Sequence, residues 1–239
     1  MIVPRFTQER CLILCDGSME SMLACAMANE QQHLQGQANA AATAGSLVLA
    51  SWWEWLNEVD LMISAVDPAV VRQAEIYQLD LYPNRSAYPP EDIESSRSQT
   101  ISSVQSRILL EAAQLAIVSG IRKVIWPVRI QRPESEFQVE QAIDLIGSAI
   151  DRALLASRLA SLDADTDSAV DVVIETPFVD LSNDQMADLA QDLSLSIDST
   201  WWHSARTLPF AQTRQAFWAA KLKRSSTIHE PKPQQRAHL

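Results

Sequence analysis

Leu12-Ile13-Leu14-Cys15-Asp16-Gly17-Ser18-Met19-Glu20-Ser21 decides how the chain is read. Four apolar residues make a short run suited to a buried strand, and small and acidic residues then form a tight turn. The apolar stretch from Met22 to Ala28 continues as a helix. A helix that starts just after a strand turns its first backbone N–H groups toward the loop. Those amides lack intrahelical acceptors, and the macrodipole adds about half a positive charge, so the junction suits an anion, with phosphate the expected one. Gly17 lets backbone approach such a group closely and visit positive φ without strain. The alternative is a plain turn in which Asp16 or Ser18 caps the helix.

Outward from this junction, strand and helix signals alternate in the manner of βαβ units on a parallel sheet. Strands are expected at Cys11–Cys15, Ser46–Ser51, Glu75–Leu81, Val124–Val128 and Val170–Glu175. Helices are expected at about Ser18–Gln32, Ser102–Ser119 with Gly120 as its stop, Glu136–Leu159, Asn183–Leu193 and Pro209–Lys221. Between strands two and three, Leu56, Val59, Ile63 and Val66 recur at helical spacing, and Pro68 is read as the start of a separate short helix over Ala69–Gln73. His33 to Ala44 reads as a loose loop or a frayed helix end, and Tyr82 to Gln99, rich in proline, as a long loop. The fold class that follows is single-domain α/β, a mostly parallel sheet of about five strands with helices on both faces, over residues 1–222. Residues 223–239 read as a disordered basic tail.

Charge and composition narrow the partners. A net charge of −11 with a pI near 4.8 lacks the basic footprint a nucleic acid needs. No apolar run approaches the roughly 20 residues of a membrane span. A small-molecule nucleotide is therefore the expected partner, a cytoplasmic location is expected, and the oligomeric state is open, a homodimer included. The three cysteines, Cys11, Cys15 and Cys25, suit small buried positions better than a disulfide framework, and no Cys-x-x-Cys pair exists. Trp52, Trp53 and Trp55 suit a core stripe or a base-stacking surface. Nothing in their sequence setting marks His33, His229 or His238 as catalytic.

The loop Asp16-Gly17-Ser18-Met19-Glu20-Ser21 resembles the Ser-Gly-Gly-x-Asp-Ser loop of the PP-loop ATP pyrophosphatases. Two further segments are similar to one branch of that family, the 7-cyano-7-deazaguanine synthases. Val104-Gln105-Ser106-Arg107-Ile108 stands where those proteins have Val-Pro-Gly-Arg-Asn. Thr176-Pro177-Phe178-Val179-Asp180-Leu181-Ser182, with Thr200-Trp201-Trp202-His203, stands where they have Thr-Pro, a Leu-Ser/Thr helix start and Thr-Trp-Ser-Cys. Order and spacing agree over nearly all of residues 10–220. The resemblance implies the adenine nucleotide α-hydrolase (HUP) fold and nucleotide binding by Asp16, Gly17, Ser18, Met19, Glu20 and Ser21, with ATP and Mg²⁺ as cofactors. It implies a phosphate or substrate contact by Arg107, whose alternative role is an ion pair within its own helix. An active member of the branch adenylates a purine-like carboxylate and releases pyrophosphate.

Departures from the family pattern bear on chemistry. His203 stands at the first of four zinc-binding cysteines and the other three are missing, so zinc is not expected and apolar packing by Trp202, Pro209, Phe210, Phe217 and Trp218 takes over the clamping of the last helix. Asp16 replaces a serine beside the phosphates; at about 4 Å and an effective dielectric near 20 the repulsion is roughly 4 kcal/mol, about a thousandfold in affinity. Ser18 replaces a glycine, Glu20 an aspartate and Ile108 an asparagine. Two readings result: a divergent ATP-binding enzyme whose catalytic residues the sequence does not name, and a noncatalytic descendant that keeps the fold as a binding or interaction module.

Overall fold

The structure is a computed structural model that describes residues 10–38, 46–50, 59–82, 101–130, 136–164 and 171–229. Its elements in chain order are β1 (Cys11–Cys15), α1 (Met19–Ala38), β2 (Leu47–Ala50), α2 (Val59–Ile76), β3 (Asp80–Leu81), α3 (Ile101–Val118), β4 (Lys123–Ile125), α4 (Glu136–Asp163), β5 (Val173–Glu175) and α5 (Asn183–Asp192). A 3-10 turn (Ile197–Ser199), a short α6 (Trp201–Ser204) and α7 (Pro209–His229) complete them. Five strands form one sheet in the order β3-β2-β1-β4-β5, and every pairing is parallel.

β1 sits at the centre and is buried along its whole length. Its side chains alternate between two cores, as a strand's period of two requires. Cys11, Ile13 and Cys15 join the core made with α1, α2, α5, α6 and α7, whereas Leu12 and Leu14 join the one made with α3 and α4. Burial of a leucine or isoleucine contributes about 1.5–3 kcal/mol, so this strand anchors both layers. The central placement holds the turn at Asp16 between helices on either side. Cys11, Cys15 and Cys25 are buried free thiols; burial pushes Cys11 up to about 11.

Several boundaries differ from the expected ones. Helix α2 runs unbroken through Pro68, where a new helix was expected; Ala69, Val70, Gln73 and Ala74 form a buried face after it while Pro68 is exposed. The same helix consumes Glu75 and Ile76, leaving only Asp80–Leu81 of the expected third strand. Its end is a left-handed Gln78 (φ 52°), with Leu79 N–H donating to Ala74 O at 2.9 Å. Ser194 (φ 53°) closes α5 in the same way, through Leu195 N–H to Ala190 O at 2.8 Å. Glycine does this at Gly120 (φ 65°), after α3. Gln78 and Ser194 lack the glycine signal that marks such stops in a sequence.

Elsewhere, α1 continues to Ala38, so residues 33–38 take the helix-end alternative, and α4 continues past the expected Leu159 to Asp163. Helix α7 reaches His229, so residues 223–229 of the expected disordered tail are helical. The strands expected at Val124–Val128 and Val170–Glu175 narrow to Lys123–Ile125 and Val173–Glu175. Trp52, Trp53, Trp55, most of the Tyr82–Gln99 loop and residues 230–239 lie outside the described residues. No helix among the described residues is long and apolar enough to cross a membrane.

The outer edge of β5 is partly satisfied from within. Ile174 N–H donates to Ser157 Oγ of α4 at 3.0 Å, and that hydroxyl donates in turn to Ala153 O at 2.8 Å. An edge strand so capped loses one of its free backbone donors.

Candidate functional site

Strand order reverses between β1 and β4: the chain leaves β1 toward β2 on one side, and β4 lies on the other. In open α/β sheets ligands bind beyond the carboxyl ends of the strands at such a switch point. The turn Asp16–Ser18 follows β1 at this place and the segment Trp126–Ile130 follows β4. The loop read from the sequence therefore stands at the switch point of the sheet.

The turn is tightly organised. Gly17 has φ 73°, a conformation that costs glycine nothing. Asp16 is buried, and its Oδ1 accepts the backbone N–H of Ser18 at 3.0 Å. Ser18 caps α1: its Oγ accepts the N–H of Ser21 at 3.3 Å, and its carbonyl accepts from Met22 N–H at 3.1 Å. Met19 and Ser21 are fully buried. Desolvation raises the Asp16 carboxyl above the usual carboxylate range, Glu20's charge raises it further, and hydrogen bonds from Ser18 pull it down.

Three residues that the sequence reading did not single out hold this turn in place. Gln73 of α2 is fully buried; its Oε1 accepts from Cys15 Sγ and Ser21 Oγ, both at 3.1 Å. Its Nε2 donates to Ser18 O at 3.1 Å and to Ser199 O at 3.2 Å. Arg129, after β4, donates from Nε to Glu20 Oε1 at 2.7 Å and from a terminal nitrogen to Asn183 Oδ1 at 2.9 Å. Its guanidinium also lies 5.7 Å from the Trp218 ring centre, a cation–π distance. Asn183 is the third, at the start of α5. The one signal that marks Gln73 in sequence is a polar side chain on the apolar face of a helix.

Two of the segments singled out in the sequence meet here. Trp201 N–H donates to Gly17 O at 2.9 Å, so Thr200-Trp201-Trp202-His203 abuts the first loop directly. Ser182, which caps α5 with a reciprocal bond to Gln185, presents the adjacent Asn183 to Arg129. Arg107 is placed differently. It sits in α3 with its Nε 3.8 Å from Glu111 Oε1, both side chains more than a third exposed. Among the described residues no hydrogen bond or ion pair joins it to Asp16–Ser21. Glu111 is raised above the usual range by desolvation, with Arg107 opposing that shift.

The C-terminal part clamps the site through aromatic packing. Trp201 and Trp202 meet edge to face at 5.5 Å, Trp201 and Phe210 lie 5.6 Å apart, and Phe217 and Trp218 meet at 5.4 Å. His203 Nδ1 lies 3.1 Å from Asp198 Oδ1, and its ring also contacts Arg206. Among the described residues no group of three or more His, Cys, Asp or Glu is arranged to hold a metal ion. Of the two carboxylates in the turn, Glu20 is paired with Arg129, and Asp16 is buried with its Oδ1 accepting the Ser18 N–H.

No protein-family model matches the chain, and no curated protein matches it. Among solved structures the chain is similar to the U34-tRNA thiolase NcsA from Methanococcus maripaludis, solved with its 4Fe-4S cluster. The likeness has 10% sequence identity and a TM-score of 0.47, over 98% of this chain and 78% of that one.

Proposed function

We propose that the chain is a divergent PP-loop protein that binds an adenine nucleotide in the crevice above β1 and β4. What carries this reading is the Trp201 N–H bond to Gly17 O: it joins two of the segments that resemble the 7-cyano-7-deazaguanine synthases, at the switch point where such sheets take their ligands. Gly17 gives the phosphates close access to backbone, and the N-terminus of α1 supplies a favourable dipole. Asp16 would be the carboxylate available to a Mg²⁺ ion delivered with the triphosphate, since Glu20 is paired with Arg129. An active protein transfers adenylate to a carboxylate of a purine-like substrate, with pyrophosphate leaving against the oriented amides.

A second reading, a noncatalytic module, has its own observation. The Asp16 carboxylate already accepts the Ser18 N–H, and Glu20 is already paired with Arg129. A loop whose amide is met by its own carboxylate has less to offer a phosphate.

Melting scans with Mg-ATP, ATP without Mg²⁺ and AMP separate the two. A ligand that binds only the folded state adds about 2.7 kcal/mol at a hundredfold excess over its dissociation constant. A shift with Mg-ATP supports nucleotide binding, and pyrophosphate release in the presence of purine-like acids then supports turnover. An unmoved midpoint at millimolar nucleotide leaves the noncatalytic reading.

A further inference from the structure

Nine of the eleven large apolar side chains exposed among the described residues belong to α4 or β5. Along α4 the stripe Val139, Ile143, Ile150 and Leu154 lies on one side of the helix, while Ala142, Ala149, Ala153 and Ala156 pack against the sheet. A groove of about 670 Å³ runs from Ile150 and Leu154 to the edge strand at Val173. Gly147 falls within the stripe. It is exposed, and a Cβ placed there would meet nothing within 4 Å. A glycine in mid-helix destabilises relative to alanine, and nothing among the described residues requires one at that position.

Self-complementarity explains both observations. We propose that α4 is the contact surface of a two-fold dimer, with the α4 helices of two copies crossing antiparallel about an axis between Gly147 and Ile150. In that arrangement Ile150 of each copy enters the space above Gly147 of the other, and Ile143 packs on Leu154. The stem of Arg158 covers Val139 and brings its guanidinium to Glu140. Large meets small, apolar meets apolar, and base meets acid, as an isologous interface demands. Parallel pairing would instead set Glu140 against Glu140 and Arg158 against Arg158. The helix is about 42 Å long, and the groove beside β5 widens the contact. Exposed Glu140 lies in the N-terminal half and exposed Arg158 in the C-terminal half, so the antiparallel sense is the one that brings this pair together.

Sedimentation velocity on the full chain over a micromolar range tests this. The wild type is expected to dimerise, and Arg158→Glu and Glu140→Arg each to raise the dissociation constant about tenfold or more. The combined Arg158→Glu/Glu140→Arg chain is expected to recover dimerisation, which a merely structural role of either residue does not produce. In a second measurement, Gly147→Cys combined with Ile150→Cys is expected to give a disulfide-linked dimer on mild oxidation; the native cysteines, being buried, stay out of it. A wild type that stays monomeric, a swap that restores nothing, or a cysteine pair that does not cross-link overturns the proposal.

Discussion

Arg129 Nε stands 2.7 Å from Glu20 Oε1, a pair in which the arginine side chain is 3% exposed and the glutamate 16%. It ties the segment after β4 to the first turn of α1 across the switch point. Breaking a buried pair leaves an uncompensated charge, which costs about 3–5 kcal/mol, whereas replacing both members with apolar residues is often neutral. Arg129→Met is therefore expected to lower stability by about 3 kcal/mol in urea denaturation, and Arg129→Met with Glu20→Met by clearly less. Equal losses in the single and double variants would show that packing on Trp218, and not the ion pair, carries the effect.

Asp16 governs a pH dependence whose sign can be worked out. Its carboxyl titrates higher in the folded protein than in the unfolded chain, with desolvation as the leading cause. The folded state thus holds its proton longer, and the associated stability is complete below about pH 4 and is lost as pH rises through the folded value. Asp16→Asn is expected to melt higher than wild type at pH 7, with the gap closing as the pH falls toward about 4. A variant that melts lower than wild type at every pH would mean that the carboxylate's hydrogen bond to Ser18 outweighs its desolvation.

The same position tests the phosphate cradle. Asp16→Ser removes a negative charge from the loop, and its affinity for ATP without Mg²⁺, measured by titration calorimetry, is expected to rise about tenfold or more, out of a repulsion of roughly 4 kcal/mol. Unchanged affinity would place the triphosphate elsewhere.

Gln73 makes four hydrogen bonds to Cys15, Ser18, Ser21 and Ser199 from a fully buried position. Gln73→Leu keeps the approximate volume and strands those partners; each buried group left unsatisfied costs about 1–3 kcal/mol. A loss of at least about 2 kcal/mol is expected, with faster amide hydrogen exchange in the first turn of α1. Exchange unchanged there would show that the turn holds itself.

Arg107 and Glu111 form a half-exposed pair one helical turn apart, a geometry worth about 0.5 kcal/mol at most. Arg107→Ala is expected to leave both the melting midpoint and nucleotide binding nearly unmoved. Weaker binding with an unmoved midpoint would show that Arg107 reaches the ligand after all.

Local pattern carried the architecture a long way. The apolar run Cys11–Cys15, the turn at Gly17 and the cap at Ser182 each rest on interactions within a few residues, and the structure forms all three. Helix ends without glycine were not legible, since Gln78 and Ser194 adopt the left-handed conformation under the pull of Leu79 and Leu195 into the core. Pro68 shows the same override, with packing carrying α2 past a residue that locally favours a new start.

By itself the sequence determined the alternation of elements, the two-faced burial of β1 and the identity of the first loop, because these follow from periodicity and short-range backbone chemistry. Only the tertiary structure decided that Arg129, Gln73 and Trp201 close around that loop. Those contacts join residues separated by 50 or more positions or by most of the chain, and pairing at such distance is set by strand order, which local pattern does not encode.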